Sequence, residues 1–226
     1  MTGQRSVPCG HRGCTVLVGE QWVTAPTTVT ALRTLGTVVA WVMAVTTQSE
    51  TWLLWALLCY WVGDIADGLL ARLTRRETRT GAVLDVLADR LCVCLVVITY
   101  VTIHPSAAVP AAVFLSQFVT LDTYLTLTFA RWSLLSPNYF ALVDPLVHRL
   151  NWSPPAKVTN TSVVIVVWLL TGSTLLTTAF ATVVLAIKTL SVLRVSRLPV
   201  PRVLSGCAVL DAQAAAAAVS PAAAST

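Results

Sequence analysis

Four aspartates lie close together in an otherwise apolar part of the sequence. They occur in two segments, which read Asp64-x-x-Asp67-Gly68-x-x-Ala71-Arg72 and, eight residues later, Gly81-x-x-x-Asp85-x-x-x-Asp89. Residues three or four apart share one face of a helix, so each segment places two carboxylates side by side. Because a carboxylate is costly at bilayer depth, this cluster predicts a functional site.

The ligand types in the cluster point to hard divalent cations. Four carboxylates this close repel one another and partly protonate unless cations neutralise them. No His or Cys accompanies them, and an all-oxygen set favours Mg²⁺ or Mn²⁺. Two such ions about 3.5–4 Å apart can hold and polarise a transferring phosphoryl group. The alternative interpretation is a belt of salt bridges between these aspartates and the arginines of the following loop.

Two further residues of the pattern suit a phosphate ligand. Gly68 follows Asp67 directly, and its missing side chain leaves room for a ligand beside the carboxylates. Arg72 lies one helical turn further and offers a planar fork that matches phosphate oxygens.

The composition is that of an integral membrane protein. Of 226 residues, 56% are hydrophobic and 11% are charged, and the mean hydropathy is +0.76. A spanning helix needs roughly 20 mainly apolar residues. The sequence therefore predicts an all-α membrane protein with six transmembrane helices, at 27–47, 52–71, 82–103, 107–130, 160–175 and 177–193.

The basic residues predict the orientation of these helices. Lys and Arg occur before the first predicted span, in the 72–81 loop, in the 131–159 connection and after the last predicted span. The opposite loops, near 48–50, 104–106 and 171–173, contain none. Because short cytoplasmic loops carry the positive charge, both termini and the aspartates are predicted to face the cytoplasm. We take the membrane to be a bacterial inner membrane.

The same features divide the chain into three parts. Residues 1–23, the head, are expected to form a loose cytoplasmic arm, and residues 24–198 the six-helix membrane domain. The Ala-rich residues 199–226 are expected to form a tail that is disordered or only weakly helical. The head contains Cys9, His11 and Cys14, three soft metal ligands without a second pair at zinc-finger spacing. This spacing is too weak a signal to predict a metal site in the head.

The complete pattern D-x2-D-G-x2-A-R-x8-G-x3-D-x3-D resembles the signature of the CDP-alcohol phosphotransferases, also called CDP-alcohol phosphatidyltransferases. Every fixed position of that signature is present, and the resemblance extends over residues 24–198. It implies a six-helix membrane enzyme, usually a homodimer, in which the hydroxyl of an acceptor alcohol displaces CMP from a CDP-linked donor.

The resemblance also implies roles for individual residues. The expected ligands of two divalent cations, Mg²⁺ or Mn²⁺, are Asp64, Asp67, Asp85 and Asp89. Asp89 is in addition the expected general base for the acceptor hydroxyl. The residues expected to bind the CDP donor are Gly68, Arg72, Thr78 and Thr30.

A second resemblance bears on the acceptor. The stretch Thr24 to Arg33 is similar to N-x-P-N-x-x-T-x-x-R of the phosphatidylglycerophosphate synthase and cardiolipin synthase branch, with Thr24 and Thr27 in place of Asn. This branch implies CDP-diacylglycerol as donor and glycerol 3-phosphate as acceptor. The expected acceptor-binding residues are Arg131, Lys157 and Arg149, although each would equally suit an ordinary residue of a cytoplasmic loop.

Several alternatives stay open at this point. The acceptor could instead be phosphatidylglycerol, giving cardiolipin, or inositol phosphate or serine. A divalent-cation transporter could also use aspartates on facing helices, although a transport pathway would spread its acids across the bilayer. Asp122 in the fourth predicted span is expected either to line the site or to bond to a neighbouring helix.

Overall fold

The computed structural model describes residues 9, 11, 13–15, 21–74 and 76–219. Most of the predicted arm 1–23 and the end of the tail lie outside these residues. The described part is mainly helical and contains no strand, which confirms the all-α prediction for that part. Its α-helices are α1 (Ala25–Thr47), α2 (Glu50–Thr74), α3 (Arg79–Ile103), α4 (Ala108–Gln117), α5 (Thr123–Leu127), α6 (Pro145–Asn151), α7 (Pro154–Lys157), α8 (Val163–Thr171), α9 (Thr174–Ser196) and α10 (Ala208–Val219).

Five helical segments of the described part are long and apolar enough to cross a membrane. They are α1, α2, α3, the segment Pro105–Arg131 that contains α4 and α5, and α9. The predicted span 160–175 corresponds mainly to α8, which is shorter and follows a widened helical turn at Val158–Ser162. The structure thus shows a helical protein with five candidate spans, and the count of six stays a prediction.

Small residues bring the first three helices together. Ala40 and Ala44 of α1 form a buried cluster with Leu53 and Ala56 of α2 and with Val96 of α3. Without a hydrophobic driving force between helices in lipid, such small side chains permit the close approach that packing requires. The helices that carry the aspartates are therefore held against α1 along much of their length.

Capping threonines define two helix starts at the aspartate end of the bundle. Thr24 caps α1, and its hydroxyl accepts a hydrogen bond from Thr27 N at 3.3 Å. Thr78 caps α3 and accepts from Gly81 N at 3.0 Å. Each cap satisfies an amide that lacks a partner within its helix. Both caps fix the direction in which the chain enters the site.

The described part of the tail contains a helix, α10, which corresponds to the helical one of the two alternatives for this segment. Its Asp211 is 1% exposed and accepts hydrogen bonds from Ser133 N and Ser205 N, at 3.1 and 2.7 Å. Alanine favours helix strongly, and these contacts supply the tertiary partner that a short helix needs. The composition alone did not reveal that partner.

Candidate active site

The aspartates converge at the junction of α2 and α3. Asp64 and Asp67 lie near the C-terminal end of α2, and Asp85 and Asp89 lie in the first half of α3. One carboxylate oxygen from each of Asp64, Asp67 and Asp85 lies within 4.8 Å of the other two. The helical spacing in the sequence and the short connection between the two helices produce this arrangement.

The four carboxylates meet around the guanidinium of Arg33, which comes from α1. Arg33 Nε donates to Asp67 Oδ2 at 2.8 Å. Arg33 Nη2 donates to Asp85 Oδ1 at 2.5 Å and to Asp89 Oδ1 at 2.9 Å, and lies 3.6 Å from Asp64 Oδ1. Arg33 Nη1 is buried and has no hydrogen-bond partner among the described residues. A third helix therefore organises the cluster.

Gly63 allows Arg33 to reach this position. A methyl group at Gly63 would lie 2.3 Å from Arg33 Cβ and 2.6 Å from Arg33 Cδ, so only glycine lets the arginine pass over α2. Neither residue was predicted to belong to the site. A charged residue inside an apolar predicted span is the signal that points to Arg33.

The cluster keeps a negative charge and is open on one side. Four carboxylates and one guanidinium leave three net negative charges if all are ionised. The side chain of Asp67 is 4% exposed, whereas those of Asp85 and Asp64 are 37% and 42% exposed. A cation or a ligand can thus approach from the side of Asp64 and Asp85.

These ion pairs bear on the salt-bridge alternative. Among the described residues, the ion pairs of the four aspartates all involve Arg33 rather than the loop arginines. Arg79 of that loop instead donates to the carbonyl oxygen of Ala130 at 2.6 Å. The aspartates do pair with an arginine, but with one that leaves most of their charge unmatched.

A small cavity lies beside Asp67. It has a volume of about 80 Å³, and its wall includes the four residues expected to bind the donor: Thr30, Gly68, Arg72 and Thr78. The hydroxyl of Thr30 donates to Asp67 Oδ2 at 2.7 Å, which ties this wall to the cluster. A methyl group at Gly68 would lie 3.4 Å from Arg72 Nη1, so the guanidinium lies over the glycine.

A much larger, mainly apolar groove meets the cluster from the other side. It has a volume of about 840 Å³ and is lined mainly by side chains of α2, α3, α4 and α8, together with Pro154 and Lys157 of α7. Along α2 it extends from Glu50 to Asp64 and Ile65. The rise of an α-helix makes this roughly 21 Å, which is most of the thickness of the apolar layer of a bilayer.

The three basic residues expected to bind the acceptor lie in different places. Lys157 lines the groove that also contains Asp64, and its Nζ donates at 2.6 Å to Oδ1 of Asn138, which lines the small cavity. Arg131 lies over the ring of Trp132 at 5.7 Å. Arg149 is exposed on α6. Only Lys157 of these three lines either cavity.

Asp122 takes the second of its two expected roles. It accepts from Arg90 Nη2 of α3 at 2.5 Å and forms a buried ion pair with Lys188 of α9. The guanidinium of Arg90 also lies 3.8 Å from the centre of the Phe118 ring. Asp122 therefore joins helices and lines neither of the two cavities.

Comparison with known proteins finds a matching family. The sequence model of a family described as CDP-alcohol phosphatidyltransferase matches residues 23–193. No curated protein and no solved structure matches significantly. The matched residues include the aspartates, Arg33 and the residues that line both cavities.

Proposed function

The chain belongs to the CDP-alcohol phosphatidyltransferase family, and from this we propose that it transfers the phosphatidyl group of CDP-diacylglycerol to glycerol 3-phosphate, releasing CMP. Family membership makes the protein a transferase of substituted phosphate groups. The lipid donor and the acceptor are our proposals. The observation that carries them is the position of the aspartate cluster between a small cavity, whose wall includes Arg72, Thr30 and Thr78, and a long, mainly apolar groove.

The donor set of the cluster fits divalent cations. It consists of carboxylate oxygens, three of which lie within 4.8 Å of one another, and Arg33 leaves it negatively charged. Members of the family use divalent cations. We propose that two ions, Mg²⁺ or Mn²⁺, are held by Asp64, Asp67, Asp85 and Asp89. When bound, they would neutralise charge on the diphosphate and make CMP a better leaving group.

The small cavity suits the diphosphate end of the donor. Its volume of about 80 Å³ is well below the 300–1,000 Å³ of common ligand pockets, so the remainder of the nucleotide would extend out of it. Arg72 lies at the exposed rim and can form a fork with phosphate oxygens. Gly68 lets a phosphate approach the backbone of α2, while Thr30 and Thr78 supply hydroxyls to the wall.

The groove supports a lipid donor rather than a soluble CDP-alcohol. Its volume of about 840 Å³ lies within the range of common ligand pockets, and its lining is mainly apolar. Acyl chains in this groove would run along α2 within the apolar layer. Because Asp64 lines the same groove, the glycerol end of such a lipid would lie next to the carboxylates.

We propose that Asp89 receives the proton of the acceptor hydroxyl. Its carboxylate is 21% exposed, and Arg33 Nη2 fixes one of its oxygens at 2.9 Å. A carboxylate that also holds metal ions would be a weak base. Proton transfer would therefore occur late, as the new bond to phosphorus forms.

We propose that Lys157 binds the negatively charged phosphate of the acceptor. It lines the groove beside Asp64, and its bond to Asn138 links the groove to the small cavity. An anionic acceptor bound there would present its hydroxyl near the cluster. The contribution of Arg131 and Arg149 stays a prediction that their positions do not support.

We further propose the topology and assembly that the sequence predicts. These are six spans, both termini and the active site on the cytoplasmic side of a bacterial inner membrane, and a homodimer. The aspartates and Arg72 lie at one end of the helix bundle, so acceptors dissolved in the cytoplasm could reach the site.

Incubation of the purified protein with CDP-diacylglycerol, Mg²⁺ and single acceptors tests this function. The panel contains glycerol 3-phosphate, phosphatidylglycerol, inositol phosphate and serine, and mass spectrometry identifies the lipid products. We expect phosphatidylglycerol phosphate with glycerol 3-phosphate. A product formed only with one of the other acceptors would show that the proposed acceptor is wrong. No product with any acceptor, under conditions in which the protein stays folded, would contradict the proposed transfer.

A further inference from the structure

The head and the tail of the chain meet at a cluster of soft metal ligands. Cys9, His11 and Cys14 from the head lie beside Cys207, which directly precedes α10. Each side chain offers one ligand atom, and these four atoms all lie within 4.8 Å of one another. The fourth ligand is 193 positions from Cys14, so no second pair at metal-binding spacing is visible in the sequence.

The distances within the cluster are close to those of a tetrahedral zinc site. Zinc–sulfur and zinc–nitrogen bonds of about 2.3 and 2.05 Å at tetrahedral angles place two sulfurs about 3.8 Å apart and a sulfur and a nitrogen about 3.6 Å apart. The structure has Cys14 Sγ at 4.0 Å from Cys207 Sγ, and Cys207 Sγ at 3.7 Å from His11 Nδ1. Small shifts would complete the geometry.

The surroundings also suit bound thiolates. Cys14 and Cys207 are 0% exposed, and neither forms a disulfide. The amide of Ala208, at the start of α10, donates to Cys14 Sγ at 3.4 Å. Such N–H donors and the positive end of a helix stabilise negative charge on sulfur.

We propose that Cys9, His11, Cys14 and Cys207 bind one structural Zn²⁺ ion that ties the head of the chain to its tail. Three cysteines and one histidine are a known ligand set of structural zinc sites, in which the protein supplies all four ligands. The site differs from the aspartate cluster in its soft ligands and in its place in the chain. It does not depend on the proposed reaction.

The zinc site would support the segment 132–138, which borders the small cavity. The head pairs with this segment, since Thr15 N donates to Ser133 O at 3.0 Å and Leu135 N donates to Gly13 O at 2.8 Å. In the same segment, Ser136 and Asn138 line the cavity beside Asp67. Metal binding in the head would thus hold one wall of the cavity in place.

Gly13 and Tyr139 provide a second link between the head and this wall. Gly13 has a φ of +89°, and a methyl group there would lie 2.1 Å from Cγ of Tyr139. The hydroxyl of Tyr139 donates to Glu77, which also lines the small cavity. Loss of the metal is therefore expected to weaken donor binding without removing any residue of the active site.

Metal analysis of the purified full-length protein tests this inference. We expect about one zinc per chain in the wild type, and its loss in Cys14→Ser and Cys207→Ser. Cys59→Ser is the matched control, because Cys59 lies in α2 away from the cluster. Absence of zinc from the wild type, or its retention in both cluster variants, would overturn the proposal.

A second measurement needs no variant and covers the case in which the variants fail to fold. Wild-type protein loaded with Co²⁺ should show the intense thiolate-to-metal absorption and the visible bands of a tetrahedral site. Zn²⁺ should displace the signal, and excess Mg²⁺ should not. A spectrum without thiolate absorption, or a Cys14–Cys207 disulfide found by mass spectrometry in protein purified without reductant, would contradict the zinc site.

Discussion

Arg33 Nε donates a 2.8 Å hydrogen bond to Asp67 Oδ2, and the two side chains are only 2% and 4% exposed. This buried pair joins α1 to α2 at the floor of the aspartate cluster. The same guanidinium reaches α3 through Asp85 and Asp89. One arginine thus fixes the relative positions of three helices and of the four carboxylates.

Replacement of Arg33 by methionine should destabilise the protein by about 3–5 kcal/mol, because removal of one partner leaves buried charge uncompensated. Divalent cations should restore part of this loss, so the melting temperature of the variant should rise more steeply with Mg²⁺ than that of the wild type. Thermal unfolding in detergent at several Mg²⁺ concentrations measures both effects. Arg149→Met is the control, since Arg149 is exposed on α6. Equal stability of Arg33→Met and the control would contradict the role of Arg33.

Gly63→Ala should disturb the cluster indirectly. The new methyl group would lie 2.3 Å from Arg33 Cβ, so the arginine or α2 must shift, at a cost of about 1–3 kcal/mol. Gly36→Ala is the matched control in the adjacent helix, because its methyl group would meet only Cys59 Sγ, at 3.9 Å. The transferase activity and the melting temperature should both fall in Gly63→Ala and stay near the wild-type values in Gly36→Ala. A larger loss in Gly36→Ala than in Gly63→Ala would show that the contact between Arg33 and Gly63 is not tightly packed.

Arg72→Lys keeps the charge at the rim of the small cavity but loses the planar fork. We expect donor affinity to fall about tenfold, which corresponds to about 1.4 kcal/mol. Titration with a non-reactive CDP-lipid analogue measures the affinity, and Arg149→Lys controls for a surface arginine. An unchanged dissociation constant would remove Arg72 from the donor site.

Substitution of Lys157 or Arg131 tests which of the two basic residues binds the acceptor. Lys157 lines the groove beside Asp64, whereas Arg131 packs on Trp132. We expect Lys157→Ala to raise the KM for glycerol 3-phosphate about tenfold or more, since a charged hydrogen bond contributes roughly 1.5–3 kcal/mol. Arg131→Ala should leave that KM near wild type. Steady-state kinetics with varied acceptor decides between them, and a larger effect of Arg131 would move the acceptor site to the end of Pro105–Arg131.

The sequence anticipated those parts of the site that depend on local spacing. Pairs of aspartates three and four residues apart, on two helices joined by a short loop, converge as the period of the helix requires. The placement of Gly68, Arg72 and Thr78 in one cavity wall follows from the same hairpin.

The features that were not anticipated depend on packing between distant segments. Arg33 reaches the cluster only because Gly63 opens α2 to it, and no local pattern encodes that contact. Cys207 joins the ligands of the head across nearly the whole chain. In the same way, α10 depends on the hydrogen bonds that Asp211 accepts from the backbone amides of Ser133 and Ser205, which the Ala-rich composition does not reveal.

The most direct test of the central claim is Mg²⁺-dependent CMP release from CDP-diacylglycerol, with glycerol 3-phosphate as acceptor, by the wild type, Asp89→Asn and Glu50→Gln. Glu50 is an exposed acid at the far end of the groove, roughly 21 Å along α2 from Asp64, and it pairs with His104. It serves as the control for loss of an acid outside the cluster. The wild type and Glu50→Gln should release CMP at similar rates, whereas Asp89→Asn should lose about 10²–10⁴-fold in turnover, the usual contribution of a general base, while it still binds the donor analogue. Near-normal CMP release by Asp89→Asn, or none by the folded wild type, would contradict the assignment of this aspartate cluster as the centre of phosphatidyl transfer.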